Sequence, residues 1–91
     1  MDSRARRVFV SGEVQGVGFR HYTKLRAREL GLAGWVQNLP DGRVDVWVEG
    51  PATGVEEMVD WLRSGPPAAR VSALDVRVVE PALFERFEVR R

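Results

Sequence analysis

A chain of 91 residues, 44% hydrophobic and 30% charged, has the composition of one ordinary globular domain (1–91), which argues against a disordered chain and offers no run of membrane-spanning length. Its net charge of +1 gives no global attraction to nucleic acid or an anionic membrane, so any electropositive site must be local. The absence of cysteine excludes disulfides, thiolate metal sites and cysteine nucleophiles.

The polar stretch Met1 to Arg7 carries three arginines and no apolar leader, so the cytoplasm is the expected location. Residues 6–11 then alternate, with Val8 and Val10 on one face and Arg7, Phe9 and Ser11 on the other, the pattern of a half-buried strand. A loop rich in glycine follows, Gly12-Glu13-Val14-Gln15-Gly16-Val17-Gly18-Phe19-Arg20. Beyond it, Phe19, Tyr22, Thr23, Ala27 and Leu30 recur at helical spacing until Gly31 supplies a stop.

Trp35 to Leu39 and Val44 to Glu49 both alternate, and Pro40-Asp41-Gly42 between them is a turn, which together make a hairpin. The next segment reads as a helix with Thr53-x-x-Glu56 as a capping box and Val55, Met58, Val59 and Leu62 as its buried stripe, ended by Gly65-Pro66-Pro67. Leu74, Val76 and Val78 predict a strand, with Val71 out of register and marking a bulge. Phe87 and Val89 predict a short last strand. The expected fold is α+β, a ferredoxin-like split βαβ (β-α-β-β-α-β plus a short final strand) in which two helices cover one face of an antiparallel sheet.

The loop at 12–20 is the candidate site. A strand-to-helix turn with glycines can aim successive backbone N–H groups at one point, and the helix N-terminus adds unpaired donors and the positive end of its dipole. An anion fits there, with Arg20 offering a fork of donors shaped for phosphate or carboxylate. The nucleotide fingerprints are absent: a Walker loop ends in Gly-Lys-Ser/Thr where this one has Gly18-Phe19-Arg20, and the dinucleotide motif needs glycine where His21 stands.

Two stretches of the chain closely resemble the signatures of the acylphosphatase family. The first, Gly-x-Val-Gln-Gly-Val-x-Phe/Met-Arg, is matched at every fixed position from Gly12 to Arg20; the second is satisfied by Gly34, Trp35, Val36, Asn38, Gly42, Val44 and Gly50. Leu30-Gly31-Leu32 and Gly65-Pro66-Pro67 are similar too. The resemblance implies metal-independent hydrolysis of an acyl phosphate to a carboxylate and inorganic phosphate, with no cofactor. It also implies roles: the phosphoryl group is held by loop amides of Gln15, Gly16, Val17, Gly18, Phe19 and Arg20 and by the Arg20 side chain, while Asn38 orients the attacking water. Gly16, fixed in the signature, is expected at positive φ; Gly18, at its variable position, is expected to tolerate a side chain.

His21, Trp35 and Trp61 read as bystander or packing residues, and the scattered aspartates and glutamates as solvated surface without a metal-ligand pattern. All but one of the 14 basic residues are arginine, Lys24 being the exception. An RNA-binding module of the same topology is the alternative, suggested by Phe9 and Trp47 on the helix-free face; Asp45 and Glu49 on that face argue against it. A second rival is the acylphosphatase-like domain of a hydrogenase-maturation carbamoyltransferase, where proline commonly stands at the position of His21 and cysteine-rich modules follow. The expected partner is a small acyl phosphate, with no nucleic acid or membrane, and a free-standing monomer is expected.

Overall fold

The computed structural model describes residues 3–91, so Met1 and Asp2 of the polar N-terminal stretch lie outside the described residues. Strand β1 (Ser3–Glu13) outruns the expected 6–11 at both ends because it is an inner strand. It pairs antiparallel with β3 (Val44–Pro51) on one side and β4 (Arg70–Val79) on the other. Strand β2 (Ala33–Asn38) forms the expected hairpin with β3, closed by Leu39 N–H donating to Arg43 O at 2.8 Å. The Arg43 backbone N–H and side chain both bond Asp41 and hold its carboxyl below the usual range, which fixes this turn.

The sheet runs β4-β1-β3-β2-β5, and β5 (Phe87–Val89) is parallel to β2, so the sheet is mixed rather than wholly antiparallel as expected. The reason is the path of the chain. It leaves β4 at one edge and reaches the opposite edge by passing the helix-free face, where Glu49 accepts from Ala82 N–H and Leu83 N–H at 2.9 Å each and Phe84 meets Trp47 edge-on. The bulge expected at Val71 is present: Ser11 faces Ala73 but Gly12 faces Val71, leaving Ser72 as the extra residue.

Helices α1 (Phe19–Glu29) and α2 (Ala52–Leu62) cover the other face. Val8, Val10, Val36, Val44, Val46 and Val48 point up from the strands against Phe19 and Ala27 of α1 and Val55, Met58 and Leu62 of α2. Each of these side chains larger than alanine contributes about 1.5–3 kcal/mol on burial, so this layer is what fixes the two helices. Trp61 packs on Phe19 at 6.2 Å and Trp35 stacks on Trp47 at 6.2 Å, the packing roles expected of Trp35 and Trp61.

Several local expectations fail for identifiable reasons. Thr53 makes no cap: β3 runs straight into α2 with Pro51 as the N-cap, so Thr53 already lies in the first turn. Tyr22 is 46% exposed because the buried stripe of α1 is the narrower Phe19-Thr23-Ala27. Val76 and Val78 are exposed because β4 is the sheet edge. Asp45 and Glu49 are buried, not solvated. Arg7 reaches Asp45 through Nε (3.1 Å) and Nη2 (2.7 Å) and Gln37 adds a third bond at 3.0 Å, while Glu49 also accepts from Trp47 Nε1 at 2.8 Å. The hydrogen bond to Asp45, and secondarily its charge, raise the Arg7 guanidinium above its ordinary value.

Candidate active site

Two buried side chains pin the glycine loop, Val14 where β1 ends and Phe19 where α1 begins, and between them Val17 packs partly buried against the core. Gln15 fixes its lateral position: its Nε2 donates to Leu39 O at 2.8 Å and to Arg43 O at 2.9 Å, the two sides of the β2–β3 turn. The loop therefore sits beside the last residue of β2, which is Asn38. Gly16 (φ 75°) and Gly18 (φ 76°) flank Val17 in the left-handed region, the alternation that turns backbone amides toward a common concavity.

Gly16 meets its expectation, but Gly18 does not. It is the N-cap of α1 in a left-handed conformation, where a non-glycine residue costs roughly 1–2 kcal/mol, and a Cβ there would also press on Tyr22 Cε2 at 3.3 Å. The expectation that Gly18 tolerates a side chain is thus corrected by its backbone, since a position that varies in a signature can still be strained in a given loop. The first intrahelical bond runs from Tyr22 N–H to Gly18 O at 3.0 Å, so the amides of Phe19, Arg20 and His21 precede it and have no intrahelical acceptor.

A pocket of about 280 Å³ opens over these groups, lined by Gly16, Gly18, Phe19, Arg20 and Asn38 among others. Arg20 is oriented by Nη1 donating to Arg90 O at 3.0 Å, a tie from the helix to the residue after β5. On the facing strand, Asn38 Oδ1 is buried and has no hydrogen-bond partner among the described residues. A buried acceptor left unpaired costs about 1–3 kcal/mol, and of the buried side-chain atoms without a partner among the described residues, this one belongs to a residue that lines the pocket.

Of the residues singled out in the sequence, Gln15 and Val17 do not line the pocket. The Gln15 side chain is committed to the turn and Val17 packs on the core. His21 does line it, exposed and edge-on to Tyr22 at 5.4 Å. Sequence reasoning missed Lys24, Val89 and Arg91 as lining residues and the Arg90 carbonyl as the support of Arg20. Only Lys24 left a signal, as the lone lysine four residues after Arg20. The arrangement can hold a tetrahedral anion on backbone donors and the Arg20 guanidinium while presenting an unpaired carboxamide oxygen to a neighbouring water.

The family model described as Acylphosphatase matches residues 6–89. A relative named acylphosphatase from Acaryochloris marina is 50% identical over 82 residues, 90% of this chain and 88% of the relative. The solved acylphosphatase of Coxiella burnetii superposes with a TM-score of 0.94 at 37% identity, over 98% of this chain and 94% of that one. The HypF structure from T. kodakarensis also superposes, with a TM-score of 0.85 at 31% identity over 97% of this chain, but only 12% of that chain is involved.

Proposed function

The chain belongs to the acylphosphatase family and hydrolyses acyl phosphates, and from that premise we propose how its own residues carry the reaction. The phosphoryl group rests on the amides of the 15–20 loop and the first turn of α1, with the Arg20 side chain paired to its oxygens. Asn38 Oδ1 accepts a hydrogen bond from water and holds it for in-line attack on phosphorus. The new P–O bond forms as the bond to the acyl oxygen breaks, the carboxylate leaves with that electron pair, and the water's proton passes to a phosphoryl oxygen. A carboxylate is a good leaving group, so no general acid is required. Positioning and charge stabilisation supply the rate, as phosphoryl transfer with little covalent chemistry demands.

The observation that carries this reading is the unpaired, buried Asn38 Oδ1 at the same pocket as the left-handed glycines and Arg20. Positive charge comes from Arg20 and the amides, and the reaction needs no metal. Among the described residues no group of three or more His, Asp or Glu gathers as metal ligands.

The RNA-binding alternative is not favoured. The arginines around Phe9 on the helix-free face are matched by carboxylates, Arg7 by Asp45, Arg43 by Asp41 and Arg77 by Asp75, so little charge remains for a phosphate backbone. No helix of the described residues is long and apolar enough to cross a membrane. We further propose that residues 1–91 form one acylphosphatase-like domain that acts as a monomer in the cytoplasm, without a nucleic-acid partner.

Inorganic phosphate tests the cradle directly. It is expected to inhibit competitively and to raise Tm, since a ligand bound only to the folded state adds about 2.7 kcal/mol at a hundredfold excess over Kd, a shift on the order of 10 °C for a domain of this size. Unchanged inhibition and melting at saturating phosphate would show that the loop is not the anion site.

A further inference from the structure

Resting on the reading above, we infer that Lys24 is a specificity residue, and that the pocket selects acyl phosphates whose acyl portion carries a second anionic group. Three observations converge on it. Lys24 lines the pocket one helical turn beyond Arg20. At i+4 it lies on the same face of α1 and about 6 Å further along the axis, away from the amides that hold the phosphoryl group. Its side chain leans back toward the helix N-terminus from that turn, so a long, flexible lysine reaches the rim of the same pocket, where an acyl portion attached to the phosphoryl group would lie.

Lys24 is also uncompensated. Arg7, Arg26, Arg43, Arg63, Arg77 and Arg86 each contact a carboxylate, whereas Lys24, like Arg20 and Arg91 of the same pocket, makes no ion pair among the described residues. No Asp or Glu side chain lines the pocket. The positive charge of a half-buried lysine is thus left for the ligand.

Size gives the third observation. At about 280 Å³ the pocket approaches the ~300–1,000 Å³ range of small-molecule sites, more room than a phosphoryl group fills. A lysine suits this outer position better than an arginine would: it is a compact point charge on a flexible stem, able to follow anions at varied distances, where the fixed fork of Arg20 suits one phosphoryl group. In a chain whose 14 basic residues are otherwise all arginine, the one lysine stands at this place.

The test compares 3- and 4-carboxybenzoyl phosphate with neutral 4-carbamoylbenzoyl phosphate, assayed on the wild-type protein, Lys24→Gln and Lys24→Arg. Loss of the charge weakens phosphoryl binding for all the substrates alike, so the readout is the charged-to-neutral ratio of kcat/KM, in which that common effect cancels. For at least one carboxybenzoyl isomer this ratio is expected to fall on the order of tenfold in Lys24→Gln, the scale of a charge-assisted contact, and to be largely kept in Lys24→Arg. A ratio changed less than twofold for both isomers overturns the inference and leaves Lys24 only a contributor to the phosphoryl site. Failure of the wild-type protein to hydrolyse the neutral substrate would instead strike the underlying catalytic reading.

Discussion

Arg20→Lys loses most activity and most phosphate affinity together, with kcat/KM for benzoyl phosphate down on the order of 10³-fold, near the lower end of what an arginine contributes to phosphoryl transfer. The charge survives in this variant, so the loss isolates geometry. Arg20 donates one Nη1–H to Arg90 O at 3.0 Å, which leaves the rest of a planar fork aimed by the residue after β5. A lysine ammonium has no second rigid arm: it can bond the carbonyl or reach the phosphoryl oxygens, but it is not held by one while serving the other. Steady-state kinetics and the phosphate-induced rise in Tm, measured on the same preparation, check both halves. A variant that keeps more than about a tenth of wild-type kcat/KM would show that charge alone suffices at this position.

Asn38→Ala separates chemistry from binding. Its kcat is expected to fall on the order of 10²-fold, the scale of removing one preorganised polar group at a transition state, while phosphate still raises Tm as in the wild-type protein. The structure adds a consequence for stability. Asn38 Oδ1 is buried without a partner, so deleting it removes an uncompensated acceptor and the ligand-free variant should be as stable as the wild-type protein or more so. Phosphate binding lost together with kcat would place Asn38 in the cradle or its support rather than on the water.

Local signals made the frame of this fold legible, and contacts distant in sequence account for what they missed. Alternation of Val8 with Val10 and of Val44, Val46 and Val48 marked strands whose apolar faces are buried, and the out-of-register Val71 marked the bulge at Ser72. The loop from Gly12 to Arg20 and Asn38 were recognisable from the two signatures, and the pairing of β2 with β3 brings them to one pocket. No local pattern reports that Glu49 accepts from the amides of Ala82 and Leu83, more than thirty residues away, so its burial in a strand read as half-exposed was invisible. The parallel placement of β5 has the same origin, since three residues carry no direction until the path of the preceding segment is known. Arg20 was visible as a donor, but the carbonyl that aims it belongs to Arg90, seventy positions on. Thr53 failed as a cap for the opposite reason: the motif is local, but the absence of any loop between β3 and α2 placed it one residue inside the helix.

Metal-free hydrolysis in the pocket formed by the loop, Arg20 and Asn38 is measured by release of inorganic phosphate from benzoyl phosphate under exhaustive chelation. Hydrolysis is expected to be saturable, with a rate that chelator leaves unchanged and that added phosphate suppresses competitively. A rate no higher than the spontaneous one, or a rate lost to chelator and restored by a divalent metal, would contradict it.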